Sequence, residues 1–294
     1  MRFTYFETMC DIHQLGGLAK AAEESGFSTF ALPDSIFYPK DSATQYPYLE
    51  SGAREFIQDR PIMDPFVLAA YLAGLTDTLN FVTFVTKLAV RNPVLIAKTV
   101  ASLAAISNNR FLFGVGLSPW PEDFQLCGQA WEGRGPRMNE MIEIIRGVMT
   151  GDYFSYQGKY YDIPAIKICP VPTKPVPFLI GGHSEAAFKR AALYGDGWMH
   201  AGGDKDDIEA LIDQLQRHLK QTGRELGVAD KPFEIHIISK EAYTLDGVRR
   251  LADLGVTDLI IGFRDLYNPA TADNKIEEKM GTMHWYANNI IAKL

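Results

Sequence analysis

Cysteine is scarce in this 294-residue chain. Cys10, Cys127 and Cys169 are odd in number, far apart and never in a C-x-x-C pair, so neither a disulfide framework nor a zinc site is expected. A reducing cytoplasm is the natural compartment. Basic runs are missing too. Lys and Arg number 29 against 36 Asp and Glu, a net charge of −7, and without a concentrated basic face no nucleic-acid partner is expected. Uncharged stretches such as Pro65 to Thr76 are too short to cross a bilayer, which predicts no membrane partner. The opening residues, MRFTYFETMC, lack an apolar h-region and read as a first strand, not a signal peptide. No H-x-x-x-H pair occurs among His13, His183, His200, His218, His236 and His284, so nothing prompts a metal. Ser118 and Ser184 lie in neither a G-x-S-x-G elbow nor an S-x-x-K motif, which speaks against acyl transfer.

What is present is alternation. Apolar residues make up 47% of the chain and fall in short runs separated by helical patterns. The runs predict strands at Phe3–Glu7, Thr29–Pro33, Asn80–Thr86, Phe111–Val115, Phe178–Ile180, Gly197–His200, Phe233–Ile238 and Asp258–Gly262. Helices are expected near 12–25, 64–75, 93–106, 137–149, 184–194, 205–221, 245–254 and 275–290. Eight βα units in a chain of this length match a (β/α)8 TIM barrel, read here as one domain over 1–294. A doubly wound sheet would want a Gly-rich turn after its first strand, whereas Thr8-Met9-Cys10-Asp11 follows Glu7. Two insertions break the alternation. Ser35 to Met63, after strand 2, is polar and aromatic; Asp152 to Val176, before strand 5, has a Tyr-rich, hairpin-like half and a proline-dense tail. Both fit lids over a site or plain surface decoration.

Barrel chemistry sits at the C-terminal ends of the strands, which nominates Glu7, Asp34, Thr83 to Thr86, Gly116 to Trp120, Gly181 to Ser184, His200 and His236. Gly181-Gly182 joins a buried strand to a helix that Ser184 would cap and Gly195 would close. Free amides and the positive end of the helix dipole suit such a turn to a phosphate, although the glycines could equally serve only to shape the turn. Asp34 at a strand end could be a turn former, and His200 or His236 a buried histidine with ordinary partners.

Three segments go further. Asn109-Arg110-Phe111-Leu112-Phe113-Gly114-Val115-Gly116 leads to Trp120, Glu122-Asp123-Phe124, Gly128, Arg137 and Glu140; Ile180-Gly181-Gly182-His183-Ser184 leads to Gly195-Asp196-Gly197-Trp198; Thr83-Phe84-Val85 precedes Arg91-Asn92-Pro93 and Ala97-Lys98. In order and spacing they resemble the bacterial-luciferase-like monooxygenase superfamily over nearly the whole chain, and Pro119-Trp120-Pro121-Glu122-Asp123 looks closest to its deazaflavin-dependent branch. The resemblance implies a cytoplasmic oxidoreductase, commonly a homodimer, that moves a hydride between coenzyme F420 and a small organic substrate. FMN-dependent monooxygenase is the alternative, as is a flavin- or deazaflavin-binding protein without turnover. Gly181, Gly182, His183 and Ser184 would hold the cofactor phosphate, with Gly116 nearby. Asp34 would lie beside the ring, and Thr83, Phe84 and Val85 would press on one face through a bulge with a cis peptide between Phe84 and Val85. Sugar-phosphate dehydrogenase members carry a His after the second-strand Asp and a Glu in the fourth loop. Here Ser35 follows Asp34 and the loop reads Leu117-Ser118-Pro119, which argues against glucose 6-phosphate and leaves Glu7, His200 and His236 as positional candidates for proton transfer.

Overall fold

Each apolar run of the alternation becomes one stave of a closed barrel in the computed structural model, which describes residues 1–47, 49–202, 207–226, 232–268 and 274–294. The staves are β1 (Arg2–Phe6), β2 (Thr29–Leu32), β3 (Asn80–Thr83) continued by β4 (Thr86–Lys87), β5 (Phe111–Gly116), β8 (Phe178–Gly181), β9 (Gly197–Met199), β10 (Glu234–Ile237) and β11 (Asp258–Ile261). All pair in parallel, and β3 against β5 closes the ring. Nine helices surround it among the described residues: α1 (Leu15–Glu24), α2 (Pro65–Ala73), α3 (Pro93–Ile106), α4 (Pro121–Leu126), α5 (Arg134–Val148), α6 (Glu185–Tyr194), α7 (Ile208–Gln221), α8 (Leu245–Asp253) and α9 (Ile276–Asn289). The expected start of the seventh at 205 lies outside the described residues. The Tyr-rich insertion forms an antiparallel pair, β6 (Phe154–Gln157) and β7 (Asp162–Ile166).

Local chemistry sets the helix starts. Asp64 accepts from the amides of Phe66 and Val67 and places Pro65 first in α2; Asn92 and Pro93 repeat the device for α3. Such caps each contribute about 1 kcal/mol. Gly195 corrects an expectation. It ends the helix at the C-cap, not the C′ position, with an extended backbone (φ −88°), and glycine is needed there for space: a Cβ would lie 2.9 Å from the Ala191 and Gly197 carbonyl oxygens.

The barrel interior is layered by polarity. Phe6, Ala31, Val82, Leu112, Leu179, Met199 and Ile260 fill the upper layer. Below, where β1 and β11 begin, Arg2 reaches Asp258 at 2.6 Å and Glu234 at 2.7 Å, and His236 Nε2 lies 2.7 Å from the same Glu234 oxygen. His236 therefore belongs to the N-terminal end, opposite the mouth. Burial alone would raise the Glu234 carboxyl, but its hydrogen bond to His236 and the charges of His236 and Arg2 hold it below the ordinary value. A depressed carboxylate stabilises fully above its unfolded pKa, about 4.3, and loses that contribution as pH falls through the lower folded value. The melting temperature should accordingly drop on acidification below about pH 4, and Glu234→Gln should flatten that limb. An acid limb unchanged in the variant would rule this ion cluster out as a source of stability.

Candidate active site

The third stave does not run straight to the mouth. Val82 pairs with Leu112 and Thr86 with Val115, so four steps along one strand match three along the other, and the surplus residue forms a bulge. The Phe84–Val85 peptide within it is cis. Glycines face the bulge from the neighbouring staves. A Cβ on Gly114 would overlap the Thr83 carbonyl oxygen, one on Gly116 would meet Val85 at 2.8 Å, and one on Gly181 would meet it at 3.1 Å. Phe84 stands edge-on to Phe6, 5.1 Å between centroids. Phe84 and Val85 are half-buried over the apolar layer, which gives the mouth an apolar floor built by backbone displacement.

Beside the floor, Gly182 has a φ of +118°, and Ser184 caps α6 by accepting from the Ala187 amide at 3.2 Å. The first amides of a helix have no acceptor within it, and the dipole there favours an anion. His183 stacks on His200 at 4.6 Å, and its Nε2 accepts from the Ala201 amide at 2.9 Å. Trp198 donates its indole N–H to the Gly182 carbonyl at 2.8 Å, which fixes the turn. Two arginines lie about the start of α5. Arg190, on α6, gives Nε to Asn139 at 2.6 Å, and burial lowers its pKa. Among the described residues no carboxylate pairs with it. Its guanidinium is 3.0 Å from where a Gly135 Cβ would stand. Arg134 lies 3.5 Å over the Trp131 ring and buries an Nε without a partner. A buried cation without a carboxylate, Arg190, and one with an unpartnered Nε, Arg134, have the chemistry to meet a phosphate.

A second polar group supports the other side. Asp34 uses both oxygens: Arg91 reaches Oδ1 at 3.0 Å and Oδ2 at 2.8 Å, and the Lys87 amide donates to Oδ2 at 2.8 Å. Lys87 Nζ in turn lies 2.7 Å from Asp123 Oδ2, which also accepts from the Ser118 hydroxyl. Over these the insertion after β2 folds inward. Tyr46 stacks on Trp120 at 5.7 Å, Phe56 packs on Tyr46 at 5.3 Å and Tyr267 meets Phe56 at 4.9 Å. Three loops thus form one aromatic wall. Glu7 is elsewhere: it points to the helix layer, 2.7 Å from Arg264 and 3.7 Å from Lys279 on α9.

The sequence signature of the luciferase-like monooxygenases spans residues 4–273. This chain belongs to that family. An uncharacterized protein of Mycobacterium tuberculosis is 48% identical over 294 residues, all of both chains. An F420-dependent glucose-6-phosphate dehydrogenase of Gordonia bronchialis is 27% identical over 236 residues, covering 77% of this chain and 64% of the dehydrogenase. The solved structure of the monooxygenase RslO1 from Streptomyces bottropensis superposes with a TM-score of 0.74 at 16% identity, over 100% of this chain and 99% of that one. The luciferase-like barrel is therefore shared by F420-dependent and monooxygenase relatives, and a deazaflavin or flavin oxidoreductase follows.

In this luciferase-like chain the Gly181 to Ser184 turn and the Thr83 to Val85 segment, both marked in the sequence, lie side by side, with Gly181 against Val85. Arg190 and Arg134 carry no such mark. A lone arginine on a polar helix face gives no periodic signal. The one available hint was the small-residue stretch Gly133-Arg134-Gly135, which leaves space beside charge.

Proposed function

We propose that this protein transfers a hydride between coenzyme F420 and a small organic substrate. The cofactor would lie with one ring face on Thr83, Phe84 and Val85, beside Gly116 and Asp34, and with its phosphate at Gly181, Gly182, His183 and Ser184. When bound, the deazaflavin accepts or gives the hydride. The chain's part is to hold the ring against the bulged floor, to neutralise the phosphate, and to exclude water beneath the aromatic wall. The observation that carries this reading is the bulged apolar floor at Phe84 and Val85 lying directly against Gly181 at the turn into α6, with the buried Arg190, which has no carboxylate partner among the described residues, further along that helix. The relation to the Gordonia dehydrogenase favours F420 over FMN. Glucose 6-phosphate itself is not the substrate we propose, because Ser35 follows Asp34 and the fourth loop reads Leu117-Ser118-Pro119. His200, stacked on His183, is the proton-transfer candidate nearest this corner.

Titration with F420 and with FMN, followed by cofactor fluorescence, tests the reading. F420 should bind more tightly, and Arg190→Met should weaken it about tenfold or more through loss of charge-assisted bonds. Equal affinity of wild type and variant would remove the phosphate assignment; preference for FMN would favour the monooxygenase reading.

A homodimer goes with this proposal. Val67 and Tyr71 lie one turn apart on α2, Leu95 and Ile106 three turns apart on α3, all well exposed on two helices that pack on each other, and such apolar side chains suit an interface between copies. Leu95→Asp should convert the protein from dimer to monomer in light scattering, and a wild type that is already monomeric would sink the idea. The free thiols of Cys10, Cys127 and Cys169 suit a cytoplasmic setting.

A further inference from the structure

We infer that the aromatic wall and Arg54 form a substrate subsite for a planar, apolar molecule bearing a carboxylate. The inference rests on the oxidoreductase reading and names the class of its substrate. Arg54 comes from the insertion after β2 and is 6% exposed. Its guanidinium lies 4.1 Å over the Trp120 ring, and the ring of Trp120 stacks on Tyr46. One edge is satisfied within the protein: Nη1 donates to Ser42 at 2.6 Å and lies 3.6 Å from Glu122, whose carboxylate Ser42 and Thr44 also hold. Nε is buried and has no acceptor.

A buried guanidinium N–H without a partner is costly, and a carboxylate is the acceptor that would relieve the cost most, since both partners are charged. The wall decides the rest of the ligand. Trp120 is covered by Arg54 and Tyr46, but Tyr46, Phe56 and Tyr267 are partly exposed beside it, and such aromatic surfaces favour a planar ring over a branched chain. Glu122 is a counter-charge to Arg54, but it meets the guanidinium at Nη1 alone. Burial alone would raise its carboxyl, yet hydrogen bonds from Ser42, its own amide and Thr44, with the Arg54 charge, hold it below the ordinary value and keep it engaged with the lid. It therefore fixes one edge of Arg54 and leaves the Nε edge for ligand.

The test compares naphthoate with its uncharged amide, naphthamide, on the full chain with and without F420, by quenching of tryptophan fluorescence. Naphthoate should bind about tenfold more tightly than naphthamide. Arg54→Met should abolish that preference, while Phe56→Ala should weaken both ligands alike and keep it. Thermal melting identifies an Arg54 variant that fails to fold, in which case Phe56→Ala and the wild-type preference decide. Equal binding of the two ligands, no binding of either, or an undiminished preference in a folded Arg54→Met would overturn the subsite. F420 affinity is read separately: F420 binding without a carboxylate preference sinks only this inference, and a carboxylate preference without any flavin binding sinks the oxidoreductase reading instead.

Discussion

Replacing Gly114 with alanine is expected to leave little folded protein. The added methyl would overlap the Thr83 carbonyl oxygen, a backbone atom, and the same two residues are tied by the Thr83 hydroxyl donating to the Gly114 carbonyl at 2.6 Å. No flexible side-chain end can yield there, so the bulge and β5 must separate, at a cost of about 3 kcal/mol or more. Two comparisons isolate the cause. Gly181→Ala would be crowded by the Val85 side chain, at 3.1 Å, with the Val115 carbonyl oxygen at an ordinary 3.6 Å, and should destabilise less while shifting the floor under the ring. Gly128→Ala, at a φ of +67° with nothing within 4 Å, should cost about 1–2 kcal/mol from backbone conformation alone. Urea denaturation of the three variants would reject the close-approach argument if Gly114→Ala proved no worse than Gly128→Ala.

That glycine shows where the sequence was legible and where it was not. Strand and helix positions were readable because each depends on nearby residues: Asp64-Pro65 announces α2, and seven of the eight expected staves match observed strands to within a residue or so at each end. Asn80 to Thr86 read as one strand because every residue in it suits a strand. Its interruption is recorded in its neighbours, where Gly114, Gly116 and Gly181 make room for Thr83 and Val85. Gly181, read as part of a phosphate turn, thus has a second reason to be glycine. The short α4 was not foreseen, since six residues carry too little periodicity. Pairings such as Arg190 with Asn139 or Lys87 with Asp123 join residues more than thirty apart and leave no local trace.

The pair of Lys87 and Asp123 should be the most sensitive charged contact at the mouth. Both side chains are at least nine-tenths buried, and the ammonium lies 2.7 Å from Oδ2. Lys87→Met would leave a buried carboxylate with only the Ser118 hydroxyl, and Asp123→Asn would leave a buried ammonium without its counter-charge; each is expected to cost about 3–5 kcal/mol. The double variant removes both charges, while the side-chain amide introduced by Asp123→Asn would still accept from Ser118, so it should recover roughly half or more of either loss. The backbone of residue 87 is untouched throughout. Its amide still donates to Asp34 and its carbonyl still accepts from Arg91, so the floor keeps its anchor. Cofactor affinity per folded molecule should therefore change by less than about threefold, under 1 kcal/mol, in the double variant. Additive losses in the denaturation cycle would show that the two residues do not act as a pair; an affinity that collapses while stability recovers would mean that Lys87 or Asp123 touches the cofactor directly.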